Sequence, residues 1–271
     1  MASNYWQDKV VLVTGGSSGL GRTIAQQFAQ RHARVVIVGL DPERVAAAET
    51  LLRQAGHQVL GIAANITQQA EVDRLFEKAL GWFGQLDVLV NNAGRSMRGR
   101  ILDITPDQFQ ELMDLNFISA VRCTRAAVPH LLPRQGHIIN IGSLAAKTAP
   151  RWLGAYPASK FALAAYSQQL RLELGPLGLH VLLVCPGPVR RRDPRGYSLG
   201  ELDDLPEPAR QPGAGVKLDA AHPERLARAI LRAAEKRKPE LVYPRKARVF
   251  FALSQIWPAL GDWLLVRLTR E

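Results

Sequence analysis

Tyr156 and Lys160 stand four residues apart, and together they can move a proton. A phenol has a pKa of about 10, too high for easy exchange near neutral pH. An ammonium beside it stabilises the phenolate and brings that exchange into range. On a helix, a four-residue interval puts both side chains on one face. Spacing alone carries no weight, because Tyr5 and Lys9 repeat it. That second pair precedes the first strand, has no serine partner and reads as two surface residues. Tyr156 has company: Ser143 lies thirteen residues before it, and Asn116 sits in the segment MDLNFISAV. Taken singly, Ser143 could cap a strand end and Asn116 could be a polar residue inside a helix.

A second constellation opens the chain. Thr14-Gly15-Gly16-Ser17-Ser18-Gly19-Leu20-Gly21 runs from a β-branched segment into a helical one. A diphosphate must come close to the backbone, where side chains would block it. The following helix offers unpaired N–H groups and the positive end of its dipole. A glycine cluster between a buried strand and a helix therefore predicts dinucleotide binding.

Alternating elements must hold these residues. Strands are expected at 9–14, 33–38, around Val59, at 86–90, 136–142, 179–185 and 241–243. Helices are expected at 19–32, from Asp41 onward, and at 67–83, 105–132, 152–174 and 223–237. Asp41-Pro42-Glu43 reads as N-cap, first-turn proline and first-turn acid. The strands are continuous apolar runs, the mark of strands covered on both faces. A strand–helix repeat of this kind predicts an α/β fold, a doubly wound parallel sheet of Rossmann type. Residues 187–221 are rich in Pro, Gly and charge, and read as a lid loop.

With the spacing G-x-x-x-G-x-G, the sequence resembles the classical short-chain dehydrogenases/reductases. Asn91-Asn92-Ala93-Gly94, Asn116, Ser143, the Tyr156/Lys160 pair and Pro186-Gly187 carry the same resemblance, in order, over residues 8–243. The resemblance implies hydride transfer between a nicotinamide dinucleotide and a carbonyl/alcohol pair. It makes Tyr156 the acid/base on the substrate oxygen. Lys160 lowers the tyrosine pKa and holds the nicotinamide ribose, and Ser143 hydrogen-bonds the substrate. Asn116 positions a water that links Lys160 to solvent. On the cofactor side it implies Thr14, Gly15, Ser17, Ser18, Gly19, Leu20 and Gly21, then Leu40, Asn65 and Ile66. Asn91, Asn92, Ala93 and Gly94 follow, with Pro186, Gly187 and Val189, and Tyr156 and Lys160 count here too.

The position of the carboxylate that would bind a ribose 2′-OH is Gly39, followed by Leu40, while Asp41 has its role as N-cap. Missing repulsion of a 2′-phosphate favours NADP(H), with NAD left open. Asn65 replaces the family's usual Asp against adenine. Arg191 stands where the family carries a Thr; either it or a neighbour binds a cofactor phosphate or an anionic substrate group, or it is a solvated loop charge. The resemblance also implies a homodimer or homotetramer. A dinucleotide-binding partner without catalysis is the opposing reading.

The chain has 271 residues, 47% of them hydrophobic, enough for a substantial core. Cys123 and Cys185 are far apart, and no Cys or His has metal-ligand spacing, so neither a disulfide framework nor a metal site is expected. The start has no apolar signal region. A cytoplasmic enzyme fits. The formal net charge is +11. Residues 236–248 carry six Lys/Arg against one acid, so the excess sits at one end and is no nucleic-acid footprint.

Beside that basic stretch lies an apolar one, 249–266, holding Trp257 and Trp263 and interrupted by Pro258, Gly261 and Asp262. It predicts two short helices joined at Pro258. They could cap the cleft, pack on a sister subunit or lie in a membrane surface, and a true span is the least favoured outcome. The chain thus divides into a catalytic domain, 1–243, and an apolar, basic extension, 244–271. An apolar or lipid-like substrate is hinted at by that tail.

Overall fold

A computed structural model describes residues 4–190, 205–210 and 219–268. Seven strands form one sheet: β1 (Val10–Thr14), β2 (Arg34–Gly39), β3 (Val59–Ala63), β4 (Val88–Asn91), β5 (His137–Ile141), β6 (His180–Pro186) and β7 (Glu240–Tyr243). Their order is β3-β2-β1-β4-β5-β6-β7, and every pairing is parallel. The helices are α1 (Gly19–Ala29), α2 (Pro42–Gln54), α3 (Gln69–Phe83), α4 (Pro106–Met113), α5 (Ser119–Leu131), α6 (Tyr156–Leu174), the short α7 (Glu207–Arg210), α8 (Pro223–Glu235), α9 (Ala247–Ile256) and α10 (Pro258–Leu268).

Both faces of the sheet are buried, as the continuous apolar strands require. Val11, Val13, Val35, Ile37, Val90 and Val184 pack with Ile24 and Phe28 of α1 and with Leu226 and Ile230 of α8. The alternate residues Val10, Leu12, Val36, Leu89, Ile138 and Val181 meet Val72 and Leu75 of α3, Cys123 and Leu131 of α5 and Leu170 of α6. The chain winds from β1 out to β3, then returns to place β4 on the other side of β1. That reversal opens a crevice at the carboxyl ends of β1 and β4, where an open α/β sheet binds ligands.

Three helix expectations are revised. The helix expected at 152–174 begins at Tyr156, because Trp152 (φ +64°) and Gly154 (φ +50°) are left-handed. A right-handed helix cannot continue through such residues. Residues 152–154 instead bond to the Gly99 backbone, through Gly99 N to Trp152 O and Gly154 N to Gly99 O. The helical run at 105–132 is broken by a π turn at Asp114–Ile118. The first helix ends at Ala29, short of His32 (φ +61°). The tail forms two helices meeting at Pro258, as its composition predicts, and among the described residues no helix is long and apolar enough to cross a membrane. Much of the expected lid, including Arg191, lies outside the described residues.

Tyr5, expected at the surface, is half-buried. The turn Asn4–Trp6 tucks beneath the sheet, where Trp6 is fully buried and its indole N–H donates to Glu235 (2.6 Å). The Tyr5 hydroxyl lies 2.7 Å from His137 Nε2, His137 Nδ1 lies 2.8 Å from His180 Nδ1, and His180 Nε2 lies 2.9 Å from Lys238 O. Only one proton arrangement satisfies this row with neutral rings. His180 Nε2–H donates to the carbonyl, His137 Nδ1–H donates to His180, and Tyr5 donates to His137. Asp87 anchors the same end of the sheet, accepting from Val10 N (2.8 Å), Gln85 Nε2 and Arg134 Nε (2.7 Å). This is the structural role its position suggests.

Burial holds the His137 pKa down to about 3 and that of His180 down to about 4. Unfolding returns both toward 6.5, so below that pH the unfolded chain binds more protons. The pair's contribution is complete above about pH 6.5 and declines as the pH falls toward 4. Urea midpoints should drop between pH 6.5 and 5, before most carboxylates titrate. A His137→Gln/His180→Gln variant should flatten that slope, and an unchanged slope would assign it elsewhere.

Candidate active site

The glycine loop turns on Gly15 (φ +64°), and Gly16 N donates to Val38 O (2.9 Å). Ser18 takes the N-cap position of α1 with extended backbone, and its side chain makes no cap. The first helical bond runs from Arg22 N to Ser18 O, so the amides of Gly19, Leu20 and Gly21 precede it. Those amides and the helix dipole are free to face an anion. A Cβ on Gly21 would collide with Gly15 O and Asn92 Nδ2, whereas at Gly19 a Cβ meets nothing and the restriction is its φ of +53°. A cradle of backbone with an uncapped helix start fits the diphosphate of a dinucleotide.

Thr14 ties this loop to the next. Its hydroxyl donates to Val90 O (3.3 Å) and accepts from Asn92 N (3.0 Å) and Ala93 N (3.1 Å). The Asn92 amide donates back to Thr14 O (3.0 Å) and Gly15 O (3.3 Å). Asn91 is a correction. Neighbouring strand residues point to opposite faces, and Asn91 turns into the core, donating to Asn140 Oδ1 (2.9 Å) and Thr124 Oγ1 (3.1 Å). It braces β4 against β5 and α5 instead of lining the crevice.

Gly94, Asn116 and Lys160 converge. A Cβ on Gly94 would stand 2.7 Å from Asn116 Oδ1 and 3.7 Å from Lys160 Nζ. Asn116 lies in the π turn, a local distortion often met at functional sites. Both its N–H groups are engaged: Nδ2 donates to Arg95 O and Ser159 Oγ, while Oδ1 accepts from Arg95 N and keeps a second lone pair. The side chain thus holds the loop after β4 and has no N–H left for a water. Lys160 is buried and donates to Ile141 O (2.9 Å). Burial lowers its pKa to about 8. An ammonium carries three donors, so capacity remains for ribose hydroxyls.

Tyr156 opens α6 and packs against Ala145 and Leu153, with Lys160 Nζ 5.8 Å from its ring centre. Ser143 lies two residues past the end of β5, and its hydroxyl accepts from Ala145 N (3.1 Å). It caps the turn Leu144–Ala146, whose Ala145 packs against Tyr156. Pro186 ends β6, Gly187 N donates to Tyr243 O (2.7 Å), and Val189 pairs with Ala221.

The far end of the crevice lies at β2 and β3. A Cβ on Gly39 would stand 2.5 Å from Ser17 Oγ and 2.8 Å from a Val45 methyl, so Ser17 fills the place of any side chain there. Leu40 is exposed. Asp41 caps α2, accepting from Glu43 N and Arg44 N, and pairs with Arg44 (2.9 Å), as the N-cap reading predicts. Asn65 Oδ1 accepts from Thr67 N and Thr67 Oγ1, which leaves the Asn65 amide protons for a ring nitrogen, and Ile66 is buried beside it.

Sequence reasoning missed Arg98. It is buried, donates from Nε to Ala209 O (3.0 Å) and so ties α7 to the loop after β4. Leu205 and Ala209 pack with Trp152 on the same side. Nothing in a lone arginine within a loop signals such a contact. Burial pushes the thiols of Cys123 and Cys185 up to about 12, so neither is a nucleophile.

Residues 9–193 match the short chain dehydrogenase family. An uncharacterized oxidoreductase of Bacillus subtilis, YxnA, is 31% identical over 97% of this chain and 72% of its own length. Dehydrogenase/reductase SDR family member 7B of Danio rerio is 33% identical over 94% of this chain and 83% of its own. A short-chain dehydrogenase from Streptomyces avermitilis has a TM-score of 0.80 and 29% identity, covering 96% of this chain and 97% of that one.

A Gly21→Ala variant should lose at least tenfold in affinity for NAD(P)H by fluorescence titration, because backbone blocks the new methyl. Gly56→Ala, at φ +83° in open space, should cost about 1 kcal/mol of stability and leave that affinity alone.

Proposed function

The chain belongs to the short-chain dehydrogenase/reductase family of oxidoreductases, which use a nicotinamide dinucleotide, and on that premise we propose an NADP(H)-dependent enzyme that interconverts a ketone or aldehyde with its alcohol. The observation that carries the chemistry is the buried Lys160 ammonium beside Tyr156. The dinucleotide supplies or takes up the hydride when bound. The chain's own residues handle the proton. Tyr156 gives its hydroxyl proton to the carbonyl oxygen in reduction and recovers it in oxidation. The Lys160 ammonium stabilises the phenolate left behind, most strongly in a site that excludes water. Ser143 orients the substrate oxygen, and Asn116 fixes the loop that carries Gly94.

Thr14, Gly15, Ser17, Ser18, Gly19, Leu20 and Gly21 would hold the diphosphate side of the cofactor. Asn92, Ala93 and Gly94 would lie along it, with Leu40, Asn65 and Ile66 at the adenosine end. Pro186, Gly187 and Val189 would flank the nicotinamide. The preference for NADP(H) rests on Gly39, whose side-chain space belongs to Ser17, and on Asp41, whose carboxylate is occupied by its own helix. Neither position then presents an unpaired carboxylate to a 2′-phosphate. Ala145 and Leu153, which pack against Tyr156, support an apolar substrate.

We also read residues 1–243 as the catalytic unit and 244–271 as an extension that makes peripheral membrane contact. The enzyme would assemble as a homodimer or homotetramer.

A carbonyl panel assayed with NADPH and NADH in parallel should give kcat/KM at least tenfold higher with NADPH. The reverse order would install NAD as the cofactor. Tyr156→Phe should lower turnover by at least about 10²-fold while leaving cofactor affinity unchanged. A non-catalytic sensor would lose little.

A further inference from the structure

One face of the molecule has no part in that chemistry. On α8, Arg225, Ala229, Arg232 and Lys236 fall at intervals of four, three and four, which aligns them along one side of the helix. With Arg190, Lys238, Arg245 and Lys246 they line a cleft of about 1010 Å³, whose one carboxylate among the described residues is Asp219. Of the flanking acids, Glu235 accepts from the Trp6 indole N–H and Glu240 pairs with Lys147, while Glu224 stands beside Arg225 in the first turn of α8. Among the described residues, none of these seven cations makes an ion pair. Seven like charges in one cleft repel each other, and an anionic partner relieves that repulsion.

Arg245 and Lys246 lead directly into α9. Its inner side packs Phe250 and Phe251 against Leu144, Leu183 and Val242. Its outer side exposes Val249, Ala252, Leu253 and Ile256, at positions i, i+3, i+4 and i+7. Val249 is 67% exposed and Ile256 83%, although both would be buried in an ordinary surface helix. Trp257 follows, and Trp263 of α10 is exposed with Arg267 5.1 Å from its ring centre. Helices of 10 and 11 residues are far too short to span a bilayer, which needs about 20. An apolar stripe with tryptophans and flanking cations is suited to the headgroup region.

We propose that the β7 edge of the sheet, where Arg245 and Lys246 join the two helices, docks the enzyme on an anionic phospholipid surface, with lipid phosphates in the α8 cleft and the α9 stripe in the acyl boundary. This deepens the peripheral-contact reading above by naming the lipid class and a second element that binds it. A second copy of the chain is the less suitable occupant. A two-fold interface through this face would set the same cations against each other.

The test is co-sedimentation of the full chain with vesicles of phosphatidylcholine alone or mixed with phosphatidylglycerol, at low and high salt. Partition onto the anionic vesicles should be at least tenfold stronger and should weaken with salt. Arg225→Gln/Arg232→Gln/Lys236→Gln should lower it about a hundredfold. Leu253→Asn/Ile256→Asn should lower it at least tenfold. Both variants should retain turnover of a soluble carbonyl substrate and their melting temperature. Because the two sets lie on different helices, misfolding of one leaves the other as the test. Tyr156→Phe should bind vesicles like the wild type, so failure of the catalytic reading is read separately. Equal partition onto both vesicle types, or none, overturns the proposal. So does binding that inorganic phosphate abolishes, which would make the cleft a soluble-phosphate site. A change in oligomer mass with vesicle binding untouched would assign the face to a second copy.

Discussion

Thr14 holds the crevice open. Its hydroxyl sits where the chain reverses direction across the sheet, donating once and accepting twice, so its hydrogen-bonding capacity is filled. Through it the end of β1 and the loop after β4 become one rigid seam. Asn92 closes the seam from the other side by donating to Thr14 O and Gly15 O. Gly21 must then lack a side chain, since its Cβ would enter the same space. The uncapped start of α1 follows from this arrangement. A side-chain cap at Ser18 would satisfy amides that a diphosphate can satisfy.

Lys160 depends on that seam at one remove. A buried ammonium needs hydrogen bonds and a fixed surrounding polar frame. Ile141 O supplies one bond from the end of β5. Gly94 lets the loop after β4 come close, and Asn116 locks that loop through both backbone groups of Arg95. The π turn around Asn116 is the distortion that brings its side chain to Arg95 and Ser159 together. Burial lowers the lysine pKa to about 8, which keeps it charged near neutrality while making its field on Tyr156 stronger than it would be in water.

Strands and the glycine loop were readable from sequence because their signals are local. Double-sided burial leaves apolar runs, and a turn against a phosphate leaves glycines. Asn91 and Asn92 show where such reading stops. Adjacent residues in a strand face opposite ways, and a pair of identical residues gives no hint which of them faces the crevice. Trp152 shows another limit, since its left-handed backbone is set by bonds to Gly99, more than fifty positions earlier. Tyr5 and Arg98 failed for the same reason. Their burial comes from distant segments, His137 for one and Ala209 for the other. Site residues at strand ends were legible, and those defined by contacts across the fold were not.

The two ends of the sheet divide the polar groups by role. At the carboxyl end, Lys160 has unfilled donors and the amides of α1 lack helical partners, as a site that must receive a ligand requires. At the amino end, Tyr5, His137, His180 and Lys238 O form a closed row in which each ring nitrogen has a partner. Asp87 similarly spends both oxygens on Val10, Gln85 and Arg134. A buried polar group with all bonds made adds rigidity and binds nothing further. The histidines, despite being the residue type most used for proton transfer, therefore belong to stability, and a tyrosine with a buried lysine carries the proton instead. Histidine type alone would point to the wrong end of the sheet, and hydrogen-bond saturation separates the two.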